Sequence, residues 1–374
     1  MVPQRVAGRA ARAPPSPIPS CARAARSAAT NPVPVVRARN TSSATASWGK
    51  ACGVKREAGW SLELIEVVAG VLRDARGRIL LTQRPPGKHL AGTWEFPGGK
   101  RESNETGREA LGRELAEELG ITVRSVRPWL ALTHHYPEIA VRLQLYTVDG
   151  WRGELHGREG QALSWVTVEE MNALPMPAAD RPIVRAFGLG DRYAITPDPG
   201  DLDGCDAILD WTRGALERGI RLFQLRAKSL DDVALADLAR DFGALLADAD
   251  ARWLINGPPE LAAASGADGV HLDAAGLDRV TARPLSGDYL VAASCHDDAG
   301  LVRAGELGLD FVTLSQVRTT LGHPRATALG WEGFERLCHS SPLPVYALGG
   351  VAPGDLEQSR EHGGFGVAGI RAFG

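Results

Sequence analysis

The sequence predicts an α/β protein in two parts: strands gathered around one acidic helix, then a compact (β/α)8 barrel. Three observations predict it. At 374 residues the chain exceeds one average domain, so two globular units are the natural expectation. Between Glu66 and Phe187, strand-like runs surround a single long helical stretch. From Tyr193 the rhythm changes to short apolar strands alternating with helical segments, the order that builds a parallel barrel.

Residues 1 to about 60 are rich in Ala, Arg, Pro and Ser without sustained periodicity, and they read as a disordered tail. Its Arg- and Ser-rich, acid-poor start also fits a transit peptide, but it lacks the apolar core of a secretory signal. We read it as a dispensable tail or an upstream start codon in a GC-rich gene. Val67–Leu72 is an apolar run, Asp74–Gly77 a turn and Ile79–Thr82 the next strand. After a Gly/Pro-rich loop, Thr106–Leu119 reads as a helix with Ala110, Leu111, Leu115 and Leu119 on one stripe. Strands follow at Trp129–Thr133 and Val141–Val148, then a Pro-rich loop, Leu174–Pro177, and a short helix near Ile183–Phe187.

This places one domain at 61–190 and the barrel at 191–374. The barrel strands are Tyr193–Ile195, Leu222–Leu225, Trp253–Ile255, Gly269–Leu272, Leu290–Ala293, Phe311–Leu314, Val345–Leu348 and Val367–Ile370. The chain stops at Gly374, soon after the eighth strand. No eighth helix of normal length fits there, so imperfect closure of the barrel is expected.

Composition narrows the function classes. No apolar run approaches the roughly 18 residues of a membrane span, so no membrane partner is expected. The five cysteines are odd in number and form no Cys-x-x-Cys pair, which favours a reducing, cytoplasmic setting over disulfides or a zinc site. The net charge is -3, yet the segment before Glu57 holds ten basic residues and no acidic one. The body is therefore strongly acidic, a poor surface for binding nucleic acid through its phosphates. Oligomeric state is not legible.

The chemistry sits between Gly99 and Ile121, which reads GKRESNETGREALGRELAEELGI. On a helix, Glu114, Glu117 and Glu118 stand at i, i+3 and i+4 and project from one face. A hard divalent cation relieves their repulsion, and oxygen ligands suit Mg2+ or Mn2+. Such a cation neutralises a polyphosphate and polarises the phosphorus under attack. Arg113 can pair with a neighbouring glutamate, and Gly99 and Gly120 permit tight turns at the two ends. An acidic helix face alone is usually solvated surface. Here nine positions agree with one pattern (Gly99, Glu105, Arg113, Glu114, Leu115, Glu117, Glu118, Gly120, Ile121), an agreement with a chance on the order of 10^-9 at a given start.

These residues match the Nudix box at every fixed position, and Glu66 to Phe187 resembles the MutT-type Nudix hydrolases, which are 8-oxo-dGTP diphosphatases. Trp94–Lys100 is similar to the segment that enters the box in that family, and Gly157–Gln161 with Trp165 to its later loop. The resemblance implies an α/β/α sandwich with a mixed sheet. It implies that Glu114, Glu117, Glu118 and the carbonyl of Gly98 bind Mg2+, with Glu159 a further ligand or base. It places Arg84, His89, Glu95, Phe96, Pro97 and Gly98 around a small-molecule nucleotide. The implied reaction is attack of water on the β-phosphorus, giving a nucleoside monophosphate and pyrophosphate. One position departs: where the family reads the oxidised purine with Asn, this chain has Asp180. Ionised Asp only accepts hydrogen bonds, whereas Asn donates and accepts, so either the base code differs or Asp180 is protonated. The pair His134-His135 points to opposite faces of a strand and reads as an ordinary strand end.

Residues 192–374 resemble thiamine-phosphate synthase and its TenI relatives, which implies a TIM-type barrel. Gln224-Leu225-Arg226-x-Lys228 stands where that family holds a pyrophosphate, Gly266–Leu272 matches the fourth-strand motif, and Ser294, Gly349 and Gly350 also correspond. The glycines can offer backbone N–H groups to a phosphate. The departures are substantial. Asn256 is followed by Gly257 where the family has a magnesium-binding Asp, and Asp273–Gly276 lacks the second aspartate. The loop Arg318–His323 lacks the family's lysine. The barrel is expected to bind a phosphorylated small molecule, to do TenI-like chemistry, or to be structural. Two other readings of the whole chain stay open: a Nudix pyrophosphatase for a thiamine-pathway diphosphate, and a non-catalytic ligand sensor.

Overall fold

The computed structural model describes residues 63–320 and 327–374. The expectations for the tail and for Leu321-Gly322-His323 lie outside the described residues. In chain order the first half holds β1 (Glu63–Leu72), β2 (Ile79–Gln83), β3 (Trp94–Glu95), β4 (Gly98–Lys100), α1 (Gly107–Leu119), β5 (Thr122–His135), β6 (Ile139–Arg152), β7 (Leu163–Val166), α2 (Val168–Ala173) and α3 (Arg181–Ala186). One sheet runs β4-β1-β6-β5 and a smaller one β3-β2-β7. The larger sheet is mixed, because β1 runs parallel to β6 and antiparallel to β4.

Helix α1 forms for local reasons. Thr106 caps it, with Glu109 closing a capping box, and Gly120 ends it in the left-handed conformation at φ 72°, which glycine adopts without steric penalty. Its predicted stripe is buried and packs on Val68, Leu72, Tyr146 and Val148 of the larger sheet. The opposite face is thereby turned out with its glutamates. Strands β5 and β6 pair over most of their 14 residues each, well beyond the predicted apolar centres. The extra length of β5, through Arg124, Ser125 and Arg127, carries too much polarity to read as strand, and it includes register shifts near Ser125 and Pro128 where proline and bulges are tolerated.

The second half is a barrel of β8 (Arg192–Ile195), α4 (Cys205–Glu217), β9 (Leu222–Leu225), α5 (Asp232–Asp248), β10 (Arg252–Asn256), α6 (Pro259–Ser265), β11 (Gly269–Leu272), α7 (Ala274–Arg279), β12 (Leu290–Cys295), α8 (Asp298–Glu306), β13 (Phe311–Ser315), α9 (Gly330–Cys338), β14 (Val345–Leu348), α10 (Leu356–Glu361) and β15 (Gly366–Gly369). Imperfect closure is corrected: β15 pairs with β8, Val367 to Arg192 and Gly369 to Ala194, and the ring is closed. Closure is a matter of strand number and backbone ladders, so it does not need an eighth helix outside. No helix among the described residues is long and apolar enough to cross a membrane. The described residues pack as one compact unit. An apolar cluster joins Phe96, Trp129 and Ile183 of the first half to Tyr193, Phe311, Tyr346 and Phe365 of the barrel.

Candidate active site

The site grows from β4 and the outer face of α1. Gly99 lies in β4 rather than at a helix end, and its expected role is corrected. A Cβ there would stand 2.3 Å from the Glu114 carboxyl carbon, so glycine lets that carboxylate close onto the strand. At Gly98, with φ 151°, a Cβ would strike the Val68 carbonyl at 2.1 Å. Gly120 does turn the chain at the helix end. Arg113 organises the acids. It donates to Glu105 at 2.6 Å, to Glu114 at 2.9 Å, to Glu117 at 3.3 Å and to the Lys100 carbonyl at 3.0 Å.

Glu118 differs from its neighbours. The Gly98 N–H donates to it at 3.3 Å. Burial, opposed by that bond and reinforced by the charges of Glu159, Glu114 and Glu95, pushes its carboxyl up to about 7. Glu159 sits on an exposed turn and takes a 2.6 Å bond from Lys88. Among the described residues, no three Asp, Glu, His or Cys side chains converge on one point as a ready metal cage. Arg113 engages Glu114 and Glu117, and Lys88 engages Glu159. The donor set nevertheless fits a hard cation. It is all oxygen, it is acidic, and it contains one half-buried carboxyl whose ionisation its like-charged neighbours oppose.

Beside this acidic patch lies the region expected to hold the base. Arg84 pairs with Glu95 and also donates to the carbonyl of His89 at 2.8 Å, so the loop is tied by the His89 backbone while its side chain is exposed. Phe96 and Pro97 are buried, and the Phe96 ring packs 5.9 Å from that of Phe187. Asp180 is buried at 6% exposure. Burial, with help from Glu95 and against Arg84 and Arg181, pushes its carboxyl up to about 8. Asp180 is thus mostly protonated at neutral pH and both donates and accepts. Two neighbours were missed by sequence reasoning: Lys88, whose contact with Glu159 spans 71 residues, and Tyr136, which the Asp180 charge influences. No local spacing signals either. His134 stacks edge-on with Tyr136 at 4.5 Å at the end of β5.

In the barrel, Arg226, Lys228, Asn256, Gly349 and Gly350 gather at the C-terminal rim, at or just beyond the ends of β9, β10 and β14. Gln224 does not join them. It is buried and donates to the Tyr193 hydroxyl at 3.0 Å inside the barrel. Tyr193 reaches His271 at 3.2 Å, and His271 reaches Ser294 at 2.9 Å. Burial holds the His271 imidazole neutral, down at about 3. Asp273 accepts from the Gly276 N–H at 2.8 Å as the cap of α7 and pairs with Lys228 at 3.2 Å. Asp198 accepts the Lys228 N–H at 2.7 Å and lies 3.8 Å from Arg226. With one carboxylate committed as a helix cap and Asn256 followed by glycine, this rim does not fit the magnesium site of the synthase.

Comparison with known proteins bears on both halves. Residues 68–186 match the family described as NUDIX domain, and residues 192–373 match thiamine monophosphate synthase. The chain is 34% identical to the 8-oxo-dGTP diphosphatase of Escherichia coli (strain K12) over 33% of its own length and 95% of that protein. It is 42% identical to the CTP pyrophosphohydrolase of the same organism over 34% of its length and 93% of the relative. A putative thiamine-phosphate synthase of Geobacter sulfurreducens is 38% identical over 48% of this chain and 85% of the relative. The chain therefore belongs to the Nudix hydrolases through its first half and to the thiamine monophosphate synthase family through its second, a fusion of the two.

Proposed function

We propose that the Nudix half is a magnesium-dependent nucleoside triphosphate diphosphatase whose substrate is an oxidised purine nucleotide such as 8-oxo-dGTP, clearing the nucleotide pool of a mutagen. The observation that carries the reaction class is Glu118, a half-buried carboxyl among like charges on the helix of an intact Nudix box. Glu114, Glu117, Glu118, Glu159 and the Gly98 carbonyl would hold Mg2+, or Mn2+ in its place, and the bound cation would supply positive charge to the polyphosphate and the phosphorus under attack. Arg113 aims Glu114 and Glu117. Glu159, tethered only by a half-exposed lysine, can swing in as a ligand or take the proton of the attacking water. Water adds to the β-phosphorus, the bond from that phosphorus to the α–β bridging oxygen breaks, and a nucleoside monophosphate and pyrophosphate leave. Arg84, Glu95, Phe96, Pro97 and Asp180 shape the base pocket, with His89 at its loop. Protonated Asp180 restores the donor-and-acceptor pair of the family's Asn, which supports the oxidised purine.

A second reading, a cytidine nucleotide as substrate, has support in the 42% identity to a CTP pyrophosphohydrolase. The deciding experiment compares kcat/KM of the purified full chain for 8-oxo-dGTP, dGTP, CTP and thiamine diphosphate across a Mg2+ series. We expect 8-oxo-dGTP to lead dGTP by at least about tenfold. Equal values remove the pool-cleaning role, a lead for CTP moves the assignment to cytidine nucleotides, and a lead for thiamine diphosphate moves it to the thiamine pathway. Glu114→Gln is expected to abolish hydrolysis in a folded protein. Unchanged turnover there removes the mechanism.

A further inference from the structure

We infer that the barrel and the Nudix half form one cooperative folding unit, with β5 and Trp129 docked on the loops at the N-terminal ends of the barrel strands. Strand β5 ends the sheet order and so presents an unpaired edge, which a folded protein must cover or blunt. The barrel covers it. The Ala131 N–H donates to the Gly363 carbonyl at 3.3 Å and the Thr133 N–H to the Ser341 carbonyl at 2.7 Å. The Thr133 hydroxyl donates to the His339 carbonyl at 2.6 Å. These three acceptors precede β14 and β15. The edge is thus completed by barrel loops.

A run of rings continues the contact inward. Phe187 stands 4.5 Å from Trp129, Trp129 stands 5.9 Å from Phe365, Phe365 is 5.4 Å from Tyr346, and Tyr346 is 5.7 Å from Tyr193 of β8. All but Phe187 are buried. Opening either half would leave these rings facing water. Polar contacts cross as well. Buried Asp310 accepts from Arg185 of α3 at 2.9 Å and from Arg283 of the barrel at 2.7 Å. The connection between α3 and β8 is pinned too, with Arg252 donating to Gly188 at 3.2 Å and Tyr346 to Gly190. The Escherichia coli 8-oxo-dGTP diphosphatase is matched over 95% of its length by a third of this chain, so the Nudix fold itself does not demand a barrel. The dependence comes from the surface this chain presents at Trp129, Ala131, Thr133 and Phe187. It gives a use to a barrel whose rim does not fit the synthase metal.

Hydrogen exchange of the full chain across a urea series tests this, read on a peptide from α1 (residues 107–119) and one from α5 (residues 232–248). We expect one shared midpoint. Phe242→Ala then makes a lesion confined to the barrel, since Phe242 packs on Phe223 and Trp253 away from the Nudix half. The midpoint of the α1 peptide should fall by the same shift as that of α5. Trp129→Ala should split the two midpoints. If Phe242→Ala leaves the barrel open, α1 should lose protection with it, and the milder Ile208→Val, also buried on the barrel side, should move both peptides together. Separate midpoints in the unmodified chain, or an α1 peptide that keeps its protection while α5 loses it, overturn the inference.

Discussion

Asp180→Asn isolates the least expected feature of the proposed base pocket. The native carboxyl is pushed up to about 8, chiefly by burial. A group at that value is about nine-tenths protonated at pH 7 and about one-tenth at pH 9. If base reading needs the proton, kcat/KM for 8-oxo-dGTP falls about tenfold over that interval. Asn carries its donor at every pH, so the variant should keep its rate at pH 7 within about threefold and lose the alkaline decline. Stability carries the same signature. The folded carboxyl keeps its proton to about pH 8 while the unfolded one releases it near 3.8. The native state therefore binds the extra proton between those values, so the contribution is full below pH 3.8 and is lost as pH rises through 8. The slope is about 1.4 kcal/mol per pH unit across that window. Urea unfolding at pH 5 and pH 8 should show a smaller loss in Asp180→Asn than in the parent. A parent kcat/KM that is flat from pH 7 to 9, or a variant with the same decline, refutes the assignment of the proton to Asp180.

Other perturbations follow from the same geometry. Gly99→Ala places a methyl group 2.3 Å from the Glu114 carboxyl carbon, and we expect hydrolysis to drop by about 100-fold or more with unchanged circular dichroism; a drop below threefold contradicts the close approach. Lys88→Ala frees Glu159 from an exposed ion pair, so stability should change by less than about 0.5 kcal/mol while the half-saturating Mg2+ concentration falls about two- to fivefold; an increase would show that Lys88 aids the cation site. Asp310→Ala leaves Arg283 without its carboxylate in a buried setting and should cost about 3–5 kcal/mol in urea unfolding. A cost under 1 kcal/mol would show that Asp310 contributes little.

Much of the fold was legible because it is written locally. The stripe Ala110, Leu111, Leu115 and Leu119, the cap at Thr106 and the left-handed Gly120 all act within a few residues, and α1 follows from them. Strands β9 and β11 fall at Leu222–Leu225 and Gly269–Leu272 as their apolar runs indicate. The polar arms of β5 and β6 were not legible, since their pairing depends on each other rather than on composition. Gln224 shows the same limit in the barrel. Its motif points to the rim, but its side chain turns inward because Tyr193 offers a buried partner there.

The sequence by itself placed the first half among the Nudix hydrolases, through a box of fixed positions whose glutamates the helical spacing sets on one face. It also determined the two architectures, through the period of their apolar residues. Tertiary structure alone decided that burial pushes the Asp180 carboxyl up to about 8, that Lys88 pairs with Glu159, that β15 pairs with β8 to close the barrel, and that the barrel covers the edge of β5. Those properties depend on burial and on contacts between residues far apart in the chain. Neither quantity exists until the chain has packed.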